Sequence, residues 1–150
     1  MTFNSQNSET VSETPKVSIV EHRHDAEHDI NEFTFHASSQ QAVDEWLEHM
    51  ERLYAGITPD KCVRLWMDIT KSGALPMGYA LNRSYSWMRK LEFHPAARMV
   101  FIHKPDPFMS LADQLMRTLR LGHLRTRFFT VDQAAEARAW LLESCSRKQV

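Results

Sequence analysis

Two apolar runs constrain this chain more than any other feature: CVRLWMDIT (Cys62–Thr70) and ARMVFIH (Ala97–His103). Each is short and apolar at nearly every position, the pattern of a strand covered on both faces. Between them lies one helical segment, from about Met77 to Leu91. Strand, helix and strand in that order imply a right-handed crossover and parallel pairing. Binding and chemistry gather in the loops beyond the carboxyl ends of such strands. That directs attention to Asp68 and His103, which end the two runs and are expected to be neighbours in the middle of a sheet.

The remaining segments fit the same scheme. VSIVEHR (Val17–Arg23) and INEFTFH (Ile30–His36) alternate apolar with polar, and the link HDAEHD predicts a hairpin. SSQQAVDEWLEHMERLYAG then changes period. Ser38 and Gln41 have capping-box spacing; Val43, Trp46, Leu47, Met50, Leu53 and Tyr54 recur at helical intervals, and Gly56 supplies the stop. PDPFMSLADQLMRTLRLG predicts a helix with Phe108, Leu111, Ala112, Leu115, Met116 and Leu119 on one face and Gly122 at its end. TRFFTV is a short last strand, and TVDQAAEARAWLLES a last helix capped by Thr130 or Asp132. The order β-β-α-β-α-β-α-β-α defines a single α/β domain over residues 17–146, with a mixed, mostly parallel sheet of about five strands and four helices. Residues 1–16, rich in Ser, Asn, Thr and Glu, predict a disordered tail, and 147–150 a frayed one.

The chain has 150 residues, the size of one domain. No apolar run approaches the roughly 20 residues that span a bilayer. The start, MTFNSQNSETVSETPK, lacks the basic-then-apolar pattern of a secretory signal. Cys62 and Cys145 are far apart in sequence and form no C-x-x-C pair, which predicts free thiols and a reducing, cytoplasmic setting. Charge is divided unevenly: five basic and thirteen acidic side chains up to Thr70, thirteen basic and six acidic from Lys71 onward. Such a field steers partners. The basic stretch RTLRLGHLRTR (Arg117, Arg120, Arg125 and Arg127, with His123) complements a helix C-terminus or meets an acidic partner or anionic ligand. Aromatic residues are not interleaved there as a stacking platform, which argues against nucleic acid.

Several chemistries can be tried on these residues. A phosphoryl-accepting receiver domain needs an aspartate after a strand and a Lys-Pro after a later one, and WMD and HKP (His103–Pro105) are both present. Only one helix separates them here, where a receiver has a further strand and helix, and neither early strand ends in an acidic pair for magnesium. His22, His24 and His28, with Asp25, are candidate metal ligands, set against a solvated polar turn. His103 with Lys104 could bind an anion at the following helix start, set against a strand-end histidine facing solvent. No G-x-S-x-G elbow frames any of Ser72, Ser84, Ser86 or Ser110, and KSGALPMG is not a glycine-rich phosphate loop. No cofactor is expected. Trp46, Trp66, Trp87 and Trp140, with Met50, Met67, Met88, Met99 and Met116, read as core, with an apolar ligand cavity between helices and sheet as the alternative.

The hairpin, the strand VRLWMDIT and the closing RFFTVDQAAEARAWL together resemble a STAS domain, the family named for sulfate transporters and anti-sigma-factor antagonists, and within it stand-alone bacterial STAS-like proteins. The resemblance covers about Val17 to Ser144. In phosphorylated members the loop after this strand carries Asp-Ser-Ser/Thr-Gly-Leu; here TKSGALPMGYAL keeps Ser72–Gly73, but Lys71 precedes them and Pro76, Met77 and Gly78 start the helix. The resemblance therefore implies a regulatory scaffold that binds a protein partner, without the phosphoswitch, although Ser72 stays a candidate for modification. The expected contacts are Asp68, Thr70, Lys71, Ser72, His103 and Lys104, with Asp68 orienting its loop by accepting backbone hydrogen bonds. A carrier of a small apolar or lipid-like ligand is the alternative, and a small enzyme the third reading. A homodimer is compatible with either of the first two.

Overall fold

The computed structural model describes residues 17–118 and 123–145. Both expected tails, together with Leu119, Arg120 and Gly122, lie outside the described residues. Among the described residues ten elements follow one another: β1 (Val20–Asp25), β2 (Ile30–Phe35), α1 (Gln40–Ala55), β3 (Val63–Asp68), α2 (Met77–Met88), β4 (Ala97–His103), α3 (Pro107–Thr118), β5 (Leu124–Thr130), a 3-10 turn (Val131–Gln133) and α4 (Ala134–Leu141). The α/β class, the element order and the single mixed sheet are as the sequence predicts. The sheet runs β1-β2-β3-β4-β5, antiparallel between β1 and β2 and parallel elsewhere.

That order decides which face each helix covers. Every crossover moves one strand in the same direction, so right-handed connections place α1, α2 and α3 on one face. Phe33, Leu65, Met67, Met99, Phe101 and Phe128 meet them there. The chain then turns under β5, and α4 closes the other face over Ile30, Val100, Ile102 and Phe129.

Strand boundaries and burial depart from the sequence reading in instructive places. The hairpin is displaced toward the turn, with β1 starting at Val20 rather than Val17. Both oxygens of the Glu45 carboxylate serve this segment: Oε2 accepts from the backbone N–H of Ile19 and Val20, each at 2.7 Å, and Oε1 takes the Ser18 hydroxyl. The α1 cap is Ser39, not Ser38: its Oγ accepts from Ala42 N at 3.2 Å. β3 is not buried throughout. Val63, Leu65 and Met67 are buried while Arg64, Trp66 and Asp68 are half-exposed, and β4 is the strand buried at every position. The last helix is preceded by a 3-10 turn, where Thr130 and Gln133 make the reciprocal capping box.

The face expected for α3 holds in part: Ala112 packs against the core and Met116 is buried, but the buried side is rotated away from Phe108, Leu111 and Leu115 toward Met109. Met109 and Met116 are buried, whereas Phe108, Leu111 and Leu115 are exposed. The side of α3 that meets β5 also carries Asp113, whose carboxylate accepts the backbone N–H of Phe128 at 3.1 Å. The cysteines are corrected too. Cys62 and Cys145, with Cα atoms 5.6 Å apart, form a disulfide across 83 residues. It joins the segment before β3 to the segment after α4 and removes the cysteine argument for a reducing compartment. Among the described residues, no helix is long and apolar enough to cross a membrane.

Candidate functional site

The loop after β3 is built around Asp68. Its Oδ1 accepts from the Thr70 backbone N–H at 2.9 Å and from the Thr70 hydroxyl at 2.6 Å, an Asx-type turn. The chain then reverses at Gly73, whose φ of +77° favours glycine and whose N–H donates to Ile69 O at 2.9 Å. Ser72 donates to Gly73 O at 3.0 Å, and Lys71 is exposed. His103 is buried, not solvent-facing; its Nδ1 lies 2.6 Å from Lys104 O, and Lys104 itself is exposed.

The sheet does not gather these residues into one site. Asp68 pairs in register with Ile102, so His103, one residue on, projects to the opposite face. Asp68 and His103 end adjacent strands but project from opposite faces of the sheet.

Of the hairpin histidines, His22 and His24 share one face of β1, while His28 lies in the turn and pairs elsewhere. His22 Nε2 is 3.0 Å from Asn31 Oδ1, and the His22 ring stacks on Phe33. His24 Nε2 is 2.7 Å from Asp29 Oδ1, and Lys61 reaches the other Asp29 oxygen at 3.2 Å. His28 Nδ1 is 3.1 Å from Asp25 Oδ2, which Arg138 also approaches at 2.7 Å. These pairings hold the Asp25 carboxyl below its ordinary range, with the His28 hydrogen bond the largest cause, and Asp29 likewise, led by His24. His22, His24 and His28 therefore share no common centre. Among the described residues, the set close enough to meet an ion is Asp25, Glu27 and His28, but the Arg138 guanidinium already lies against Asp25 Oδ2 and His28 Nδ1. A polar cleft of about 290 Å³ lies over His22, His24, Asn31 and Lys61, and these groups are tied to one another or to Asp29.

The site with unused capacity is apolar. Between α2 and the sheet lies a cavity of about 340 Å³. It exists because α2 is attached sideways rather than downward. None of its side chains is fully buried. The Tyr79 hydroxyl donates to Asp44 Oδ1 on α1 at 2.6 Å, Arg83 reaches the same oxygen at 3.2 Å, and Trp87 meets the Tyr54 ring edge-on at 4.9 Å. Trp46, Met50, Met67, Met99, Phe101 and Met116 form the wall opposite Met77, Leu81, Trp87 and Met88. Burial pushes the Tyr54 phenol up to about 12, so this wall residue is neutral at ordinary pH. The indole N–H of Trp46, also in the wall, is buried without a hydrogen-bond partner among the described residues.

Of the aromatic and methionine set in the sequence, Trp46, Trp87, Met50, Met67, Met88, Met99 and Met116 line the cavity. Trp66 and Trp140 pack on the α4 face instead. Among the polar positions of the lining, sequence reasoning did not single out Tyr85 or Arg89; it tried Ser84 only as a nucleophile and His123 only within the basic stretch, and it brought none of the lining's polar residues, His94 included, to this cavity. The signal available for them was the basic excess after Lys71, within which Glu92 is the sole acid from Met77 to Pro95.

Fold and site together define an α/β domain with an apolar chamber beneath one helix. Protein-family models, curated proteins and solved structures yield no match to the chain.

Proposed function

We propose that this domain binds a small apolar ligand in the chamber between α2 and the sheet. The observation that carries the reading is the volume of about 340 Å³ in a wall of methionine, leucine and aromatic side chains. Apolar cavities of ~150 Å³ hold benzene, and ligand pockets begin at about 300 Å³. Methionine suits such a wall, because its flexible thioether adapts to occupants of different shape. The neutral fluorophore N-phenyl-1-naphthylamine tests the reading. Its emission should rise on mixing with the protein and should not rise with Ala80→Leu, which fills the chamber from α2. Equal response from both proteins, or none from either, overturns it.

A second reading is favoured by one observation, the exposed stripe of Phe108, Leu111 and Leu115 on α3. Their i, i+3, i+7 spacing gives a continuous apolar face. It follows closely on His103 and Lys104, which the reading as a STAS-like scaffold gives as partner contacts. On this reading the domain is regulatory and meets a protein surface there, a second copy included. Leu111→Asp with Leu115→Asp should abolish self-association in sedimentation velocity without lowering thermal stability. A wild-type protein that sediments as a monomer up to high concentration removes the homodimeric form of the reading.

A further inference from the structure

The chamber is uneven in charge as well as apolar, and this identifies the kind of ligand it suits. Among the described residues its lining contains no Asp or Glu, but Arg89, His94 and His123 all contribute to it, and all three are exposed. They come from separate places in the chain: the residue after α2, the segment before β4 and the residue before β5. Parallel strands bring the last two to the same edge of the sheet, and Ala97 N donates to His123 O at 3.1 Å. The cations therefore mark one end of the chamber, at the amino ends of β4 and β5. The opposite end lies under Leu75 and Met77, near the loop that follows Asp68.

Arg89 is the permanent charge of the three. Among the described residues it pairs with no carboxylate, and its guanidinium lies 5.8 Å from the centre of the Tyr85 ring. Glu92 is close in sequence but does not line the chamber. An exposed guanidinium at the mouth of an apolar chamber is matched to an anionic head on an apolar tail. The volume limits the tail. Scaled from benzene in ~150 Å³, it accepts roughly a dozen carbon atoms, which suits one acyl chain and excludes a two-chain phospholipid.

We propose that the chamber takes a single-chain amphiphilic carboxylate, with its tail between α2 and the sheet and its head at Arg89. This rests on the apolar-ligand reading above and adds the head group and its orientation. Titration calorimetry on the full chain with decanoate and 1-decanol, which share a tail and differ in the head, separates the two. Decanoate is expected to bind about fivefold tighter than decanol, the scale of one exposed ion pair. Arg89→Gln should remove that preference and leave decanol affinity unchanged. Added salt should weaken decanoate alone. Equal affinity for both ligands in the wild type overturns the head-group assignment and leaves the apolar reading standing. A preference for decanoate that survives Arg89→Gln overturns the role of Arg89. Loss of both ligands in that variant shows a structural role for Arg89 and overturns its assignment as head-group contact. Failure of both ligands to bind the wild type overturns the proposal and the reading beneath it.

Discussion

The two faces of the sheet are covered by opposite means. One lies under α4, only eight residues long, yet the interior there is closed: Ile30, Val100, Ala137 and Leu141 are fully buried. The other lies under three longer helices and holds a chamber. The difference lies in what each helix is tied to. α4 is fastened directly to the sheet. Arg64 Nε donates to Leu141 O at 3.0 Å and Arg98 Nε to Trp140 O at 3.1 Å, so two strand arginines satisfy carbonyls at the helix C-terminus. Arg98 is almost fully buried, lies 4.0 Å over the Trp140 ring and pairs with Glu143. Desolvation lowers its pKa, but an arginine remains charged at any ordinary pH. Arg138 ties α4 onward to Asp25 in the hairpin. α2, in contrast, spends its polar and ring contacts on α1. A helix fastened to its neighbour instead of the sheet leaves space beneath it.

Leucine truncation gives the largest break in this comparison. Leu65 and Leu141 are both buried, one in the sheet wall of the chamber and the other at the end of α4 in the closed cluster. Leu141→Ala should cost about 4 kcal/mol, within the range for a site that cannot collapse. Leu65→Ala should cost roughly 2 kcal/mol, because a residue bordering a void already lacks partner atoms on one side. Urea unfolding of both variants checks the ordering; equal losses would mean the chamber wall is packed as tightly as the α4 face.

Reduction of the disulfide comes next. Cys145 follows α4, so the bond to Cys62 is a further fastening of the sealed side. Breaking a link that closes 83 residues should cost ~2–4 kcal/mol. Hydrogen exchange should localise the loss to α4 and the start of β3, leaving α2 as it was. Loss of protection in α2 instead would place the staple's effect on the wrong face.

Enlarging a small residue reverses the asymmetry. Ala137→Leu introduces three carbons where nothing can move and should cost about 1–3 kcal/mol. Ala80→Leu, on the chamber side of α2, should be neutral or stabilise by ~0.5–1 kcal/mol by filling space. Thermal melts of the pair measure this directly. A destabilised Ala80→Leu would show that the chamber is closed to an added side chain.

Much of the fold is legible because the strands declare themselves by composition. ARMVFIH becomes β4 with the expected boundaries, since an unbroken apolar run has only one way to be covered. Legibility fails where two patterns coexist. Along α3, Phe108, Leu111 and Leu115 form as regular a stripe as Met109, Ala112 and Met116, and hydrophobicity does not choose between them. Asp113, on the side that caps the Phe128 N–H, belongs with the second set and points that side at β5. β3 misled for a related reason: Trp66 reads as core, but α4 covers it only in part. The chamber's residue types were visible in the sequence, which offered a cavity between helices and sheet only as the alternative to core, because its volume depends on how α2 is attached. That attachment rests on Tyr79 and Arg83, which look like ordinary helix-surface residues, and on Trp87, which reads as core. The sequence's candidate surface, after Asp68 and His103, is at the carboxyl ends of the strands, whereas Arg89, His94 and His123 lie at the amino ends.

The smallest expected effect compares the two faces at the hairpin. Asp25 meets His28 and Arg138 on the α4 side; Asp29 meets His24 and Lys61 on the other. Both carboxyls are lowered below their ordinary value of 3.8. The folded protein thus holds these groups ionised where the unfolded chain would bind protons, so stability rises with pH in that window. The contribution is fully present above the unfolded value and is lost as pH falls through the depressed folded values. Asp25→Asn and Asp29→Asn should each flatten the decline of stability below about pH 4. Both pairs are partly exposed, so the changes should be small and reduced by salt. Asp25→Asn should have the larger effect, because Arg138 belongs to a helix already fixed to the sheet, while the Lys61 side chain must give up its own freedom to reach Asp29. Acid titrations followed by circular dichroism would show this order, and the reverse order would mean that the α4 fastening does not extend to the hairpin.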